Sequence, residues 1–455
     1  MLTDVFLVPI LDKILLHAPL HGLSAVINPS GASILKTALY HKRSPNQPAF
    51  DSLYELLQQP VSPPQVRKGG LQEPRFLGLL PTRDCNMHCR YCDFPASRAD
   101  RQVVMSQDTC QSAVDAYMNH LKEHNYHRAS IHFFGGEPFV EPELVFFAAE
   151  YAQQKASEYN LSLHLEASSN GLMDEPLARQ VAETFNCIVL SLDGPEHIQN
   201  EQRPAQGNAD SFSNVVATAK ILSDSPCTLI LRSCITQESL PDLEHIAAWM
   251  ADNFAPETIC LEPMSDTLQA RRYQLHAPDP WEFSKTFLQA DKLLSDQGIQ
   301  CMLSTADLSL TTVSSCPVGH DALIVSPRGE INACYLLKET WLSKDKDMHL
   351  GHLDHGQLII QQADLDRVRS YQLDNKPLCE NCFCRFHCAG GCHVNHLTDG
   401  LPGSYDDVCI RTRLVSLGKI LLRTQQADLL ERWLADDVAL EKTARNQNDR
   451  MESWQ

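Results

Sequence analysis

The chain has 455 residues, room for two or three domains around a large core. Charged residues make up 21 % and apolar residues 43 %, the balance of a folded globular protein, and no apolar run reaches the roughly 18 residues of a membrane span. The net charge of −19 excludes a general nucleic-acid binder, which needs a basic footprint, and leaves a solvated acidic surface or a basic peptide partner. The apolar stretch from Val5 to Leu16 is broken by Asp12 and Lys13. It has neither a basic leader nor a small-residue cleavage site, so it does not read as a signal peptide. The 17 cysteines are odd in number and group at metal-ligand spacings, which fits a reducing cytoplasm better than secretion.

Residues 1–59 read as a small α+β module. Strand-like stretches at Val5–Pro9, Lys13–Leu16 and Leu23–Ile27 precede a helix that Ser30 would cap. Residues 60–75, rich in Pro and Gly, read as a linker. Residues 76–300 alternate apolar runs (Phe76–Leu80, Ser130–Phe134, Leu161–Ala167, Cys187–Leu192, Thr228–Ile235, Thr258–Glu262) with helical patterns at 107–123, 142–158, 174–185, 210–223 and 240–252. Such a βα repeat implies an α/β fold with a parallel sheet and right-handed crossovers. Six units suggest an open, partial barrel of TIM type, (β/α)6, whose active groups sit at the C-terminal strand ends.

The most specific stretch follows the first of these strands: Thr82-Arg83-Asp84-Cys85-Asn86-Met87-His88-Cys89-Arg90-Tyr91-Cys92. The gaps of three and two put successive thiols on different sides of a helix, so the spacing suits a loop wrapped round a compact cluster. Three thiolates can hold three irons of a 4Fe-4S cube and leave the fourth open to a ligand. A zinc site completed by His88 is the alternative, since structural zinc takes four ligands. A disulfide is disfavoured by an odd, crowded set of thiols.

Cys85-x3-Cys89-x2-Cys92, with aromatic Tyr91 before the last cysteine, resembles the signature of the radical S-adenosylmethionine (SAM) enzymes. The resemblance implies that Cys85, Cys89 and Cys92 hold a catalytic 4Fe-4S cluster whose open iron binds the SAM amino and carboxylate groups. One electron then breaks a carbon–sulfur bond, giving methionine and a 5′-deoxyadenosyl radical that abstracts hydrogen from carbon. Three strand-end turns resemble the SAM pocket of that family: Gly135-Gly136-Glu137 after the second strand, Ser168-Ser169-Asn170-Gly171 after the third, and Ser191-Leu192-Asp193-Gly194 after the fourth. Each alone is an ordinary turn. In that family's scheme Gly135, Gly136 and Glu137 take the SAM ammonium, Asn170 and Ser191 the ribose or carboxylate, and Asp193 either the substrate or the turn itself. Arg203 and Arg232 are expected to balance the SAM carboxylate, with solvated surface an equal reading for Arg203. Glu262, ending the sixth strand, is expected to be structural.

A second cysteine system occupies residues 301–410. Cys316, Gly329, Cys334, Cys379, Cys382, Cys388, Cys392 and Cys409 resemble the SPASM domain, which houses two auxiliary 4Fe-4S clusters. The resemblance implies that Cys379, Cys382, Cys388 and Cys409 hold one cluster, and Cys316, Cys334 and Cys392 the other. The second then has an iron open to a substrate thiolate, or closed by Cys301 or Cys384. Read from the residues alone, the region also suits a pair of four-cysteine zinc sites. Pro327-Arg328-Gly329-Glu330 is a turn between strands at Ala322–Ser326 and Ile331–Cys334. Cys110, Cys187, Cys227, Cys234 and Cys260 read as small buried apolar residues, and His387, His393 and His396 as neighbours of the clusters rather than ligands. Residues 411–455 read as an amphipathic helical segment whose last dozen residues are frayed.

The expected function is a SPASM-type radical SAM maturase acting on a precursor peptide or protein substrate, forming a thioether or another crosslink in a ribosomally made peptide. An external one-electron reductant such as flavodoxin or ferredoxin would feed it. The residue 1–59 module resembles the leader-peptide-binding module of such systems, or is a cover for the barrel. An anaerobic sulfatase maturase making formylglycine is the alternative. It is weakened because Tyr335 stands where those relatives carry an acidic residue. A non-catalytic metal-binding scaffold is the third reading.

Overall fold

The computed structural model describes residues 4–92, 94, 102–396 and 405–451. An antiparallel meander opens the chain: β1 (Phe6–Ile10), β2 (Lys13–Ala18) and β3 (Leu23–Ile27). The helix Pro29–Tyr40 follows. Its cap is Asn28 rather than the expected Ser30: the Asn28 side chain accepts from Gly31 N at 2.7 Å, and Pro29 presets the first helical turn. His17 on β2 is 4 % exposed, with its ring 6.2 Å from Phe383 and 5.5 Å from His387.

Burial, and then His387 nearby, lower the His17 pKa to about 3, so the ring is neutral when folded. Its folded pKa lies below the unfolded value of 6.5, so this contribution is present above pH 6.5 and is lost as pH falls toward 3. Urea unfolding should therefore show about 2 kcal/mol less stability from this group at pH 5 than at pH 7. The difference should shrink by that amount in His17→Gln.

Seven parallel strands lie side by side in chain order: β4 (Leu77–Leu79), β5 (Arg128–Phe133), β6 (Ser162–Ser169), β7 (Cys187–Ser191), β8 (Thr228–Ile235), β9 (Thr258–Pro263) and β10 (Gln300–Met302). Helices such as Gln107–Glu123, Pro142–Tyr159 and Leu243–Asn253 cover one face. Along β5, Ala129, Ile131 and Phe133 are buried while Ser130 and His132 are half-buried, as a period of two demands. The expected strands appear with ends shifted by up to two residues. β10 escaped the sequence reading because three residues carry no usable periodicity.

The sheet does not stop at the barrel. On the free side of β4 comes β11 (Leu323–Val325), parallel, with Leu323 opposite Leu77. Then β12 (Glu330–Asn332), β13 (His349–Asp354) and β14 (Gln357–Ile360) add antiparallel strands, making one sheet of eleven. The expected hairpin is β11–β12, turned at Gly329 with φ +80°. The barrel and the cysteine-rich region therefore share a backbone ladder.

The C-terminal helices Asp407–Arg423, Ala427–Leu434 and Asp437–Arg445 pack on the body through Leu414, Leu417, Leu421 and Trp433. The expected fraying of the last dozen residues is not what the structure shows as far as Met451. Leu7 N donates to Asp449 O at 2.7 Å and Met451 N to Val5 O at 2.9 Å, so this stretch covers the outer edge of β1. The Asp449 carboxylate is fully buried against Arg413 at 2.6 Å. That partner is 36 residues away in sequence, and local composition carries no trace of it.

Candidate active site

The cysteine loop leaves the C-terminal end of β4 and is pinned on two sides. On one side Gly136 N donates to Thr82 O at 3.2 Å and Glu137 N to Asp84 O at 2.8 Å. On the other, His88 N reaches Pro204 O at 2.8 Å, Arg90 N reaches Gln202 O at 2.9 Å, and the Gln206 side chain donates to Cys85 O at 2.6 Å. The glycine pair is required by the protein's own packing: a Cβ on Gly135 would stand 2.3 Å from Thr82 O, and one on Gly136 2.1 Å from Asp84 O. Met87 N donates to Cys85 Sγ at 3.4 Å and Phe94 N to Cys92 Sγ at 3.3 Å. Burial and then Glu137 push the Cys85 thiol up to about 12. Burial also raises Cys89, with Arg203 opposing. Buried thiols of this kind become thiolates only with a cation to bind, and loading releases their protons.

The strand-end turns converge on this loop. The Asn170 side chain donates to Asn86 Oδ1 at 2.8 Å and lies 3.5 Å from Cys85 Sγ. Glu137, 2 % exposed, accepts from Ser169 Oγ (2.9 Å), Phe139 N (3.2 Å) and Asn170 N (2.6 Å). That uses three of the roughly four acceptor directions of a carboxylate and leaves one for a ligand. Burial raises the Glu137 pKa to about 7 despite these bonds. Ser191 ends β7 half-buried, opposite Arg232 on β8, which is exposed. Glu262 accepts from Ser304 N at 2.8 Å, a structural contact.

Asp193 differs from the ligand-facing expectation. It is fully buried and three of its acceptor directions go to the protein itself: Oδ2 takes Tyr91 O–H (2.7 Å) and Gln202 (2.9 Å), Oδ1 takes Cys234 N (3.1 Å). Arg203, 8 % exposed rather than solvated, donates to the Tyr91 oxygen at 2.7 Å. Asp193 thus ties Tyr91 of the cysteine loop to the β7 and β8 ends. Asp193→Ala should cost about 3–5 kcal/mol in chemical denaturation, because it leaves Arg203 buried beside an unpaired hydroxyl. A loss under about 1 kcal/mol would contradict this role.

In the second cysteine system, Cys379, Cys382, Cys388 and Cys409 line one cavity together with Cys384, His396, Tyr405 and Arg413. Arg413 Nη1 donates to Cys382 Sγ at 3.2 Å, and His396 Nε2 lies 3.5 Å from Cys409 Sγ. Cys316, Cys334 and Cys392 form a separate group, the charges of Cys316 and Cys392 both raising Cys334 beyond the effect of its burial. Neither expected substitute completes that group. Cys384 belongs to the first cavity, and Cys301 lies on β10, where its carbonyl accepts from Lys419 Nζ at 2.7 Å. Tyr335, next to Cys334, packs its ring 4.5 Å from that of Phe134.

Tetrahedral zinc, with Zn–S near 2.3 Å, holds its thiolates about 3.8 Å apart. Among the described residues, the one group of three Cys, His, Asp or Glu ligand atoms that closes to within 4.8 Å is His396, Asp406 and Cys409. None of the three cysteine sets closes to that spacing among the described residues. All 17 cysteines are free of disulfides, and among the described residues no helix is long and apolar enough to cross a membrane.

Residues 79–250 match the model of the Radical SAM superfamily. The cysteine-type anaerobic sulfatase-maturating enzyme of Clostridium perfringens (strain 13 / Type A) is 25 % identical over 290 residues, 59 % of this chain and 76 % of that protein. The radical SAM cyclopropyl synthase TigE of Paramaledivibacter caminithermalis is 19 % identical over 195 residues, 40 % of each chain. The solved structure of native anSMEcpe with bound AdoMet and Cp18Cys peptide superposes with a TM-score of 0.57 at 18 % identity, covering 79 % of this chain and 100 % of that one. That likeness is one of fold.

Proposed function

This chain is a radical SAM enzyme, and from that premise we propose that it matures a peptide, abstracting hydrogen from a carbon of a ribosomally made precursor to set up a thioether or another crosslink. The observation that carries the reading is the meeting of three strand-end turns with the cysteine loop at one end of the sheet. Cys85, Cys89 and Cys92 would hold a 4Fe-4S cluster, and Asn170 and Glu137 reach the same loop. With SAM bound, that cluster supplies an organic radical able to take hydrogen from unactivated carbon. The protein's part is position and exclusion. The free acceptor direction of Glu137 suits an ammonium, Ser191 and Asn170 suit hydroxyl or carboxylate groups, and Arg203 sets positive charge beside Cys89.

Cys379, Cys382, Cys388 and Cys409 would hold one auxiliary cluster, and Cys316, Cys334 and Cys392 the other, with one iron left for a substrate thiolate. The seventeen free thiols suit a reducing, cytoplasmic compartment with a flavodoxin- or ferredoxin-type reductant. The outer edge of β3 has no strand partner among the described residues, whereas that of β1 is covered by residues 449–451. A leader peptide would add to β3 by strand pairing. Removing the leader from the precursor should then weaken binding at least ~10-fold, and unchanged binding would refute this role.

Sulfatase maturation, the activity in the Clostridium relative's name, is the second reading, here as formylglycine formation. Here Tyr335 offers no carboxylate base and is packed against Phe134. Anaerobic incubation with SAM, reductant and a peptide encoded beside this gene separates the readings. A loss of two hydrogen atoms with a new intramolecular bond supports the crosslink. An aldehyde at Cys or Ser supports the sulfatase maturase. No 5′-deoxyadenosine at all supports an inert scaffold.

A further inference from the structure

We propose that Lys376 is a shared positive charge that sets the reduction potentials of both auxiliary clusters; the proposal rests on the two cysteine sets holding those clusters. Lys376 is 3 % exposed. Its ammonium donates only to carbonyls, Gly390 O at 3.0 Å and Ala389 O at 3.5 Å, and no carboxylate pairs with it among the described residues. An ammonium taken out of water without an anion is costly, so such a group calls for a negative occupant nearby.

The chain around it shows where that occupant sits. Cys388-Ala389-Gly390-Gly391-Cys392 runs from a ligand of one set to a ligand of the other, and this loop is moulded on the lysine. Gly390 has φ +78°, and a Cβ there would stand 2.2 Å from Lys376 Cδ. Gly390, whose carbonyl takes the ammonium, lies two residues after Cys388 of one set and two before Cys392 of the other. Arg413, a buried cation lining the first cavity, touches Cys382 and is already neutralised by Asp449. A four-iron cube ligated by thiolates is anionic, and each added electron makes it more so. A fixed cation at low dielectric therefore favours the reduced state, and net charge is one of the factors that set cluster potentials. Lys376 sits where it serves two cages at once.

The test is a redox titration of anaerobically reconstituted full-length protein, followed by electron paramagnetic resonance, comparing wild type with Lys376→Met and Lys376→Arg. In Lys376→Met the reduced-to-oxidised ratio at fixed potential should fall at least tenfold for both auxiliary clusters, 59 mV for a one-electron couple. The cluster at Cys85, Cys89 and Cys92 should not move, and Lys376→Arg should stay close to wild type. A shift confined to one auxiliary cluster, no shift, or an equal shift in all three overturns the proposal. If Lys376→Met takes up no auxiliary iron, loading of Lys376→Arg upholds the need for charge, and failure of both variants overturns it. Wild-type protein with iron for a single cluster, or with no nucleoside release, sinks the underlying reading as well. Wild type that carries three clusters and cleaves SAM, with unmoved potentials in Lys376→Met, sinks only this inference.

Discussion

Cys89→Ala is expected to lower 5′-deoxyadenosine release at least ~1000-fold, equivalent to about 4 kcal/mol of barrier. The side chain lies between Cys85 and Cys92 in sequence, half-buried, with the Arg203 charge acting on it. With three thiolates a cube is held at three corners and presents one iron. With two, neither the hold nor the single open corner survives. Iron content should fall by about one cluster while the auxiliary iron stays, because those cysteines form separate groups. Cys110→Ala is the control. That thiol is 1 % exposed in the helix Gln107–Glu123, so its loss should cost about 1 kcal/mol of stability and leave nucleoside release unchanged. Equal damage from both variants would mean that the loop is no more than a packed turn.

Gly136→Ala is expected to do comparable harm without removing any functional group. Its Cβ would stand 2.1 Å from Asp84 O and 2.5 Å from Arg83 O, both backbone atoms that cannot swing away. Relief requires moving Arg83 and Asp84 and with them Cys85, whose N–H is bonded to Asp84 Oδ1 at 2.9 Å. Overpacking of this kind costs about 1–3 kcal/mol of stability. The larger effect should fall on SAM cleavage, at least ~100-fold, since displacements near 1 Å cost that much at a reacting centre. Gly70→Ala, with open space around its Cβ position, should change neither. Thermal unfolding together with SAM turnover checks both arms.

How much of this was visible in the residues depends on range. The cysteine loop and the strand-end turns are local patterns, and the βα repeat fixes that such turns gather at one end of the sheet. The partial barrel was legible for the same reason, apart from β10, three residues long. What the sequence hides is partnership across distance. Asp193 could have served a ligand or its own turn, yet Tyr91, 102 residues earlier, donates to it. Arg203 could have been solvated until Tyr91 and Cys89 closed over it. The tail looked frayed because a polar stretch gives no hint of the buried Arg413–Asp449 pair. Lys376 reads as an ordinary surface lysine; only the shape of the Cys388–Cys392 loop exposes its burial.

A cluster held by three thiols leaves one iron to take SAM. Electron paramagnetic resonance of the reduced, anaerobically reconstituted chain, recorded with and without SAM, addresses it at the metal itself. The account predicts that SAM alters the signal of one cluster, that Cys89→Ala removes this responsive signal, and that the auxiliary signals stay as they were. Bound zinc in place of iron at Cys85, Cys89 and Cys92, or a signal indifferent to SAM, would contradict it.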